Sequence, residues 1–344
     1  MKILQLMAGG KNGGAENFFV RMVKALSEEG IVQEAAIRTH RVRRDKLENS
    51  GMVVHELPYG GMFDPCTGIR LKKIARDFSP DIVMSWMNRA SAAAPAGPWI
   101  NVGRLGGYYN LKYYKKCVYL VCNTHDLCDY VISKGRPQDK VVCLPNFIDE
   151  GVAPAIDRAS LNTPHDKPLL VCFGRLHDNK AFDVIISALS KIEHAYLWIV
   201  GEGPLAEKLQ QRAKDHSVQD RVRFLGWRED VSAIHAAADV FVCPSRHEPL
   251  GNVILEAWAY GTPVVAAGSQ GPAQLIVDRV TGLLVPVNDA EKLAEAIKQV
   301  LADRALASRL QDAGKKAYFD KFSKGKVVKK YIEFFTGICS DNRN

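Results

Sequence analysis

The apolar positions of the chain alternate between short continuous runs and runs with helical spacing. Residues 2–7 (K-I-L-Q-L-M) and 240–243 (V-F-V-C) are apolar runs of the length of a buried strand. Between such runs, apolar residues recur every three or four positions, as in 15–29 and 289–302, which predicts amphipathic helices. Regular alternation of strands and helices predicts mostly parallel, doubly wound sheets, which belong to the α/β class.

This alternation runs through the chain twice, and a stretch rich in proline and polar residues separates the two series. The first series predicts strands at 2–7, 35–39, 52–57, 81–85, 99–103, 118–122 and 140–144, with helices at 15–29, 68–78, 88–95 and 124–134. The second predicts strands at 168–173, 195–200, 221–225, 239–243, 263–267 and 282–285, with helices at 181–191, 205–214, 230–236, 251–260, 271–278, 289–302, 305–319 and 323–336. A chain of 344 residues fits two such domains.

The most informative stretch is 244–263, where a predicted strand has ended, a polar loop follows and a helix begins. The loop carries Glu248, and the helix carries Glu256 after a gap of seven residues. Amides at the start of the helix are expected to point outward together, namely those of Leu250, Gly251 and Asn252. Such amides favour a phosphate, and carboxylates accept hydrogen bonds from hydroxyls. The stretch therefore predicts a ligand that is part phosphate and part polyol, such as a sugar nucleotide.

Two cations follow the strand predicted at 168–173. Arg175 comes two residues after this strand and Lys180 five residues later, on the side of the sheet where Glu248 is expected. Fixed positive charges at this place can hold a diphosphate and stabilise the charge that builds up as it leaves. Taken alone, the two cations fit a solvated basic loop better than an anion site, because most charged side chains lie at the surface. The nearby pair of carboxylates favours the anion site, because separate signals then converge on one place.

A glycine loop, A-G-G-K-N-G-G (8–14), follows the first strand. Gly13 and Gly14 allow either a close approach of the backbone to a phosphate or sugar, or a simple tight turn before the helix. The loop lacks the dinucleotide fingerprint, and the next strand ends in R-T-H (38–40), where a ribose-binding acid would stand. An NAD enzyme is therefore disfavoured. The P-loop and G-x-S-x-G motifs are also absent, which disfavours P-loop NTPases and α/β-hydrolases.

The charge of the chain is concentrated in its first half. The net charge is +8, of which +6 lies in residues 1–150. Basic residues cluster at 38–46 and, interleaved with tyrosines, at 107–119. Lysine with tyrosine suits a membrane headgroup interface or the stacking of nucleic-acid bases, and a solvated face is equally favoured.

Motifs for metals, disulfides and export are missing from the sequence. The eight cysteines form no C-x-x-C, and the chain shows no signal-peptide pattern. No apolar run approaches the ~20 residues of a membrane span. We therefore expect a cytoplasmic protein with free thiols. No zinc spacing and no D-x-D occurs, so neither a metal nor a cofactor is predicted.

Motifs along nearly the whole chain resemble those of the retaining glycosyltransferases of family 4, which have the GT-B fold. The segment E-P-L-G-N-V-I-L-E (248–256) is similar to the E-x7-E signature of that family. The other matching segments are G-G-A-E (13–16), P-N-F-I-D (145–149), F-G-R-L (173–176) followed by Lys180, G-E-G-P (201–204), L-G-W-R-E-D-V (225–231), G-P-A-Q-L-I (271–276) and T-G-L-L-V-P (281–286).

The resemblance implies an architecture and a role for each site residue. It implies two doubly wound Rossmann-like domains that face a central cleft: an acceptor-binding domain at 1–153, a nucleotide-sugar-binding domain at 154–320, and a terminal helix, 321–344, that crosses back to the first domain. Catalysis is assigned to Arg175, Lys180 and Glu248. Among the implied donor contacts, Glu256 binds the ribose and Glu248 binds the sugar. The diphosphate is bound by Arg175, Lys180, Gly13, Gly14 and the amides of Leu250, Gly251 and Asn252. The base lies against Trp227 and Arg228.

The acceptor side departs from the family pattern. Residues 84–88 and 103–107 replace segments in which the family often carries histidines. The acceptor-side candidates are therefore His40, Asn88 and Arg104. The family resemblance implies metal-independent transfer of a hexose from a UDP- or GDP-sugar to a glycan or glycolipid, such as a lipopolysaccharide core.

The remaining expectations concern partners and alternatives. We expect peripheral contact with the anionic inner face of the cytoplasmic membrane, and no nucleic-acid partner. Two alternatives stay open at this point. One is a GT-B-fold sugar-nucleotide epimerase, and the other is a non-catalytic protein that binds anionic surfaces.

Overall fold

The computed structural model describes residues 1–10, 13–60 and 64–341, and the chain divides into two compact units. Unit 1 comprises residues 1–149 together with the segment that starts at Lys324, and unit 2 comprises Glu150–Ser323. The boundaries predicted from the sequence, after 153 and 320, differ from these by four and three residues. The roles of the two domains stay predictions.

Unit 1 is built on a seven-stranded sheet in which every pair of neighbouring strands is parallel. Its strands are β1 (Lys2–Met7), β2 (Val32–Arg38), β3 (Val53–Leu57), β4 (Ile82–Trp86), β5 (Ile100–Arg104), β6 (Tyr119–Cys122) and β7 (Val141–Cys143). Its helices are α1 (Gly14–Glu28), α2 (Arg41–Glu48), α3 (Pro65–Phe78), α4 (Met87–Ala93), α5 (His125–Ser133) and α13 (Lys324–Asp341). The strand order is β3-β2-β1-β4-β5-β6-β7.

Burial explains why the central strands of unit 1 are continuous apolar runs. All five residues of β4 and of β5 are buried, because helices cover both faces of a parallel sheet. On one face, α1 and α13 contribute to a common core, in which Phe18 and Phe19 lie with Tyr331 and Phe335. The terminal segment is therefore part of the hydrophobic core of unit 1.

Unit 2 contains a six-stranded parallel sheet of the same kind. Its strands are β8 (Leu169–Phe173), β9 (Tyr196–Val200), β10 (Val222–Phe224), β11 (Val240–Cys243), β12 (Val264–Ala267) and β13 (Leu283–Val285), in the order β10-β9-β8-β11-β12-β13. Its helices are α6 (Phe182–Leu189), α7 (Ala206–Asp215), α8 (Val231–Ala237), α9 (Asn252–Tyr260), α10 (Gln270–Leu275), α11 (Ala290–Ala302) and α12 (Arg304–Lys321).

The α/β class and the doubly wound sheets predicted from the sequence are confirmed. Each predicted strand is present, and the strand ends agree within three residues. The prediction missed α2, because the helix is polar on most of its surface and buries only Arg43 and Leu47. All eight cysteines are free, and five are buried. No helix within the described ranges has the length and apolarity that a membrane span requires.

The order of strands creates one place on each sheet, at the carboxyl ends of two central strands, where a ligand crevice is expected. In unit 1 the chain direction across the sheet reverses between β1 and β4, and in unit 2 it reverses between β8 and β11. Loops that follow two strands flanking such a reversal diverge and leave a crevice, where ligands of doubly wound folds bind. In unit 2 these loops begin at Gly174 and Pro244, so both predicted donor-site segments lie at this edge.

Candidate active site

The loops after β8 and β9 pack against each other so closely that glycine is required at three positions. Gly174 has a φ of 149°, and a side chain at Gly201 would lie 2.0 Å from the carbonyl oxygen of Gly174. A side chain at Gly203 would lie 2.4 Å from the carbonyl oxygen of Leu176. Backbone hydrogen bonds join Gly174 to Val200 and Leu176 to Glu202. The G-E-G-P segment (201–204) therefore packs directly against the backbone of the F-G-R-L segment (173–176). This close packing explains why Gly201 and Gly203 are glycines.

Lys180 and Glu248 form an ion pair at the edge of the unit 2 sheet. The Lys180 ammonium donates a hydrogen bond to Glu248 Oε2, and only 18% and 11% of the two side chains are exposed. The stem of Lys180 runs past Gly174, where a Cβ atom would lie 3.1 Å from the Lys180 Cε. Gly174 therefore makes room for the lysine that the sequence predicted as a diphosphate ligand.

The charges around Lys180 keep its ammonium protonated. Burial by itself would lower the pKa of Lys180, but Glu248, Cys243 and, more weakly, Glu256 together outweigh this effect. The pKa of Lys180 therefore lies above its ordinary value. Both carboxylates of the E-x7-E signature thus act on one cation, although they come from a loop and a helix.

The amino end of α9 is formed by a glycine in the left-handed region. Gly251 has a φ of 85° and precedes Asn252, the first residue of the helix. Gly271 packs against the loop so closely that a Cβ atom there would lie 2.6 Å from Leu250, and its amide donates to the Glu248 carbonyl. The N-cap residue is Gly251 itself, which has no side chain that could accept a hydrogen bond from the helix amides. The end of α9 presents its dipole beside Glu248.

Three other predicted donor residues lie on the loops after β8 and β10. Arg175 is exposed and makes no hydrogen bond or ion pair with the rest of the described chain. The Trp227 side chain is 44% exposed, which leaves a ring face accessible for stacking. Arg228 is bound by Asp230 through two hydrogen bonds of 2.8 and 2.6 Å. Its guanidinium is therefore fixed before any base approaches.

In unit 1, the described residues of the glycine loop (8–10, 13 and 14) lie beside the buried carboxylate of Glu16. Glu16 Oε1 accepts a hydrogen bond from the Gly10 amide at 2.7 Å, and Arg43 Nη2 donates to the Gly10 carbonyl at 2.6 Å. A Cβ atom at Gly13 would lie 2.4 Å from Glu16 Oε2, so a side chain there would displace the Glu16 carboxylate. Gly14 is the first residue of α1. The glycines thus fit an internal clamp by Glu16 and Arg43, which the sequence analysis did not identify.

Comparison with known proteins identifies the family. The model of the family "Glycosyl transferases group 1" matches residues 155–317. The lipopolysaccharide core biosynthesis glycosyltransferase LpsE of Rhizobium meliloti is 39% identical, over 94% of this chain and 96% of its own length. LpsD of the same organism is 36% identical, over 97% and 98%. The chain belongs to the group 1 glycosyltransferases.

The fold of this glycosyltransferase is GT-B. The structure of Anabaena Alr3699/HepE in complex with UDP and glucose matches it with a TM-score of 0.85, at 20% identity, over 98% of this chain and all of the other. The relatives named as glycosyltransferases favour transfer over the two alternatives, an epimerase and a non-catalytic binding protein.

The acceptor-side candidates of the glycosyltransferase occupy three different environments in unit 1. His40 caps α2, where its Nδ1 accepts a hydrogen bond from the Arg43 amide at 3.2 Å. Asn88 follows Met87, whose φ of 66° is unusual for a residue with a side chain, and the buried Asn88 Oδ1 has no hydrogen-bond partner within the described residues. Strain beside an unpartnered buried amide oxygen is a feature of functional sites. Asn88 therefore stays a candidate for contact with the acceptor, and these two local features favour it.

Arg104, the third candidate, lies in the core of unit 1. Its side chain donates to the Tyr331 hydroxyl at 2.9 Å and to the Asn146 side-chain oxygen. The guanidinium carbon lies 4.6 Å from the centre of the Phe18 ring and 4.8 Å from that of Trp86. Only 2% of the residue is exposed. The expected contact with an acceptor therefore has no support from the geometry, which points to a role in stability.

Proposed function

We propose that this glycosyltransferase moves a hexose from a nucleotide-diphospho-sugar to a lipopolysaccharide core acceptor, with retention of the anomeric configuration. The observation that carries the proposal is the Lys180–Glu248 pair, which lies at the strand reversal of unit 2 beside the amino end of α9. A cation, helix amides and carboxylates at one sheet edge suit a ligand with both phosphate and hydroxyl groups.

The donor is proposed to exchange partners with the residues of the site. Its diphosphate would bind the Lys180 ammonium and the exposed Arg175 guanidinium, so that Glu248 shares or releases the lysine and accepts a hydrogen bond from a sugar hydroxyl. Glu256 would bind the ribose hydroxyls, and the exposed Trp227 ring would lie against the base.

The proposed reaction is a single exchange at the anomeric carbon. The bond between this carbon and the diphosphate oxygen breaks, and the diphosphate leaves with the electron pair. An acceptor hydroxyl oxygen forms the new bond on the same face, and its proton passes to an oxygen of the leaving phosphate. Lys180 and Arg175 would stabilise the charge on the diphosphate as the bond breaks. No metal or other cofactor takes part in this scheme, so chelation should leave the rate unchanged.

The proposed acceptor class follows from the relatives. LpsE and LpsD, which match this chain along nearly its full length, are named for the biosynthesis of the lipopolysaccharide core. We therefore propose a core oligosaccharide on a lipid as acceptor, bound by unit 1 on the side where Asn88 lies. The cytoplasm, at the inner face of the membrane, is the proposed place of the reaction.

The experiment that tests donor binding is a thermal-shift screen with UDP-, GDP- and ADP-sugars. We expect one nucleotide to raise the unfolding temperature of the wild-type protein. A ligand at 100 times its dissociation constant stabilises the native state by about 2.7 kcal/mol, which such a screen detects readily. If none of these sugar nucleotides shifted the transition at millimolar concentration, the proposed donor class would be wrong.

A peripheral contact with anionic lipid is a separate part of the proposal. The segment predicted from its lysines and tyrosines exposes Lys112, Tyr113 and Lys115, whereas Tyr114 is buried and Lys116 binds the carbonyls that end α4. Each lysine near an anionic surface contributes about 1 kcal/mol. The double variant Lys112→Gln/Lys115→Gln should therefore bind anionic vesicles about 30-fold more weakly than the wild type in co-sedimentation.

The control for this membrane experiment changes two exposed lysines on α7, as Lys208→Gln/Lys214→Gln. It has the same net charge as the first double variant, so a difference between them reports on position. Equal binding by the two variants, or binding by the wild type that is insensitive to salt, would contradict the contact.

A further inference from the structure

Two loops of unit 2 pair residue by residue beside the proposed donor site. Arg246, His247 and Glu248 lie opposite Asp178, Asn179 and Lys180. Arg246 Nη1 donates to the Asp178 carbonyl at 2.9 Å, the His247 amide donates to the Asn179 carbonyl at 3.1 Å, and Glu248 accepts a hydrogen bond from Lys180. The ion pair at the site is thus the last of three consecutive links between the loops.

The first link is strengthened by a bidentate ion pair that the sequence analysis did not assign. Arg246 Nη1 and Nη2 donate to the two carboxylate oxygens of Asp183 at 2.8 and 2.6 Å, and Arg246 Nε donates to Asn288 at 2.5 Å. Arg246 raises the stability of the charged form of Asp183, so that the pKa of this carboxyl is lowered although burial opposes the shift. Asp183 lies in the first turn of α6, directly after the turn that carries Lys180.

The turn that carries Lys180 needs an external support. Residues 178–180 form a single 3-10 turn, and Ala181 follows with a φ of 52°, in the left-handed region that glycine prefers. A lysine side chain has a flexible stem with many rotamers, so its ammonium is placed only where backbone and partners hold it. Arg246 holds the start of this turn through the Asp178 carbonyl, and it holds the first turn of α6, which follows directly, through Asp183.

We propose that Arg246 and Asp183 are positioning residues, which fix the turn of Lys180 to the loop of Glu248 in the arrangement that binds the donor diphosphate. This inference rests on the proposed function of Lys180 as a diphosphate ligand. Neither positioning residue is required to touch the donor. Their effect is to keep two charged side chains from different loops at one place, which a catalytic site needs within a fraction of an ångström.

The test compares two ligands on the purified full-length enzyme. The ligands are the nucleoside diphosphate of the donor found in the thermal-shift screen, and the same nucleoside without phosphates. Arg246→Ala should bind the diphosphate about 10- to 100-fold more weakly than the wild type does. Its affinity for the nucleoside should change less than twofold. Arg246→Lys, which cannot make the bidentate pair, should lie between the wild type and Arg246→Ala.

Asp183→Asn has a matched control in the same unit. Asp239 also accepts a hydrogen bond from an arginine, Arg158, at 3.1 Å, but it precedes β11 and so lies at the opposite edge of the sheet. Asp183→Asn should weaken binding of the diphosphate at least fivefold relative to Asp239→Asn. In the double variant Arg246→Ala/Asp183→Asn, the two losses should combine to less than their product, because the residues act as a unit.

The outcomes separate this inference from the proposed function. Wild-type affinity of Arg246→Ala for the diphosphate would overturn the inference, and so would equal losses for the diphosphate and the nucleoside, which indicate general loosening. If Lys180→Ala binds the diphosphate as the wild type does, the proposed function fails and the inference fails with it. If Lys180→Ala loses affinity while Arg246→Ala does not, only the inference fails.

Discussion

Lys180→Ala is expected to lower kcat by a factor of 10² to 10³ with little change in the fold. Removing one preorganised group that stabilises developing charge costs about 2.7–4 kcal/mol in enzymes where this has been measured. Lys180 fits this role because it is mostly buried, paired with Glu248, and held in its charged form by the surrounding carboxylates. Initial rates with the donor and acceptor in excess measure the effect.

The control for this prediction is Lys191→Ala. Lys180 immediately precedes Ala181 and α6, and Lys191 follows the same helix, where it pairs with Glu291 at 2.5 Å. Both variants remove one paired lysine, but only Lys180 lies at the proposed diphosphate site. Because Lys180→Ala leaves Glu248 without its partner, Lys180→Gln is a second variant that keeps most of the side-chain volume. Losses below threefold in both Lys180 variants would contradict the assigned role.

Arg104→Ala is expected to cost about 3–5 kcal/mol of stability in unit 1. The replacement removes the hydrogen bonds that Arg104 donates to the buried Tyr331 hydroxyl and to the Asn146 side-chain oxygen, and it removes a cation that lies over two aromatic rings. Breaking such a buried network by removing one member is among the most destabilising single changes. Since two units need not unfold together, hydrogen exchange of the β5 and β6 amides is the appropriate measurement.

Arg89→Ala is the matched control, because Arg89 lies on α4 in the same unit with its side chain exposed. The free energies of opening derived from hydrogen exchange in Arg89→Ala should stay within about 0.5 kcal/mol of those of the wild type. Arg104→Lys keeps the charge but loses the planar group that reaches both partners, so its effect should be intermediate. If Arg104→Ala protected these amides as well as the wild type does, Arg104 would not have the structural role that its contacts indicate.

The sequence was sufficient to predict the strands and the doubly wound sheets. Buried parallel strands are short apolar runs, and most strands of unit 2 are followed directly by glycine or proline, as at Gly174 and Pro244. The helix α2 was missed because helical periodicity is visible only when one face is apolar, and α2 buries an arginine instead. The pattern of apolar residues therefore predicted the strands and helices whose buried residues are apolar.

The site could be predicted only in part, for a related reason. The segments with Lys180 and Glu248 were identified because each carries its own local signature, a strand end or a helix start. Their direct pairing, and the pair of Arg246 with Asp183, join residues more than 60 positions apart, and no local pattern encodes such contacts. Arg104 was expected at an acceptor because it lies in a segment where the family often carries a histidine, whereas here it is buried by specific partners.

The most direct test of the account is a transfer assay with product analysis. The enzyme is incubated, in the presence of a chelator, with the donor found by the thermal-shift screen and a truncated lipopolysaccharide core. We predict release of nucleoside diphosphate that requires the acceptor, and a product whose anomeric configuration, measured by NMR, is that of the donor sugar. Inverted configuration, or no transfer from any sugar nucleotide that binds, would contradict the proposed reaction.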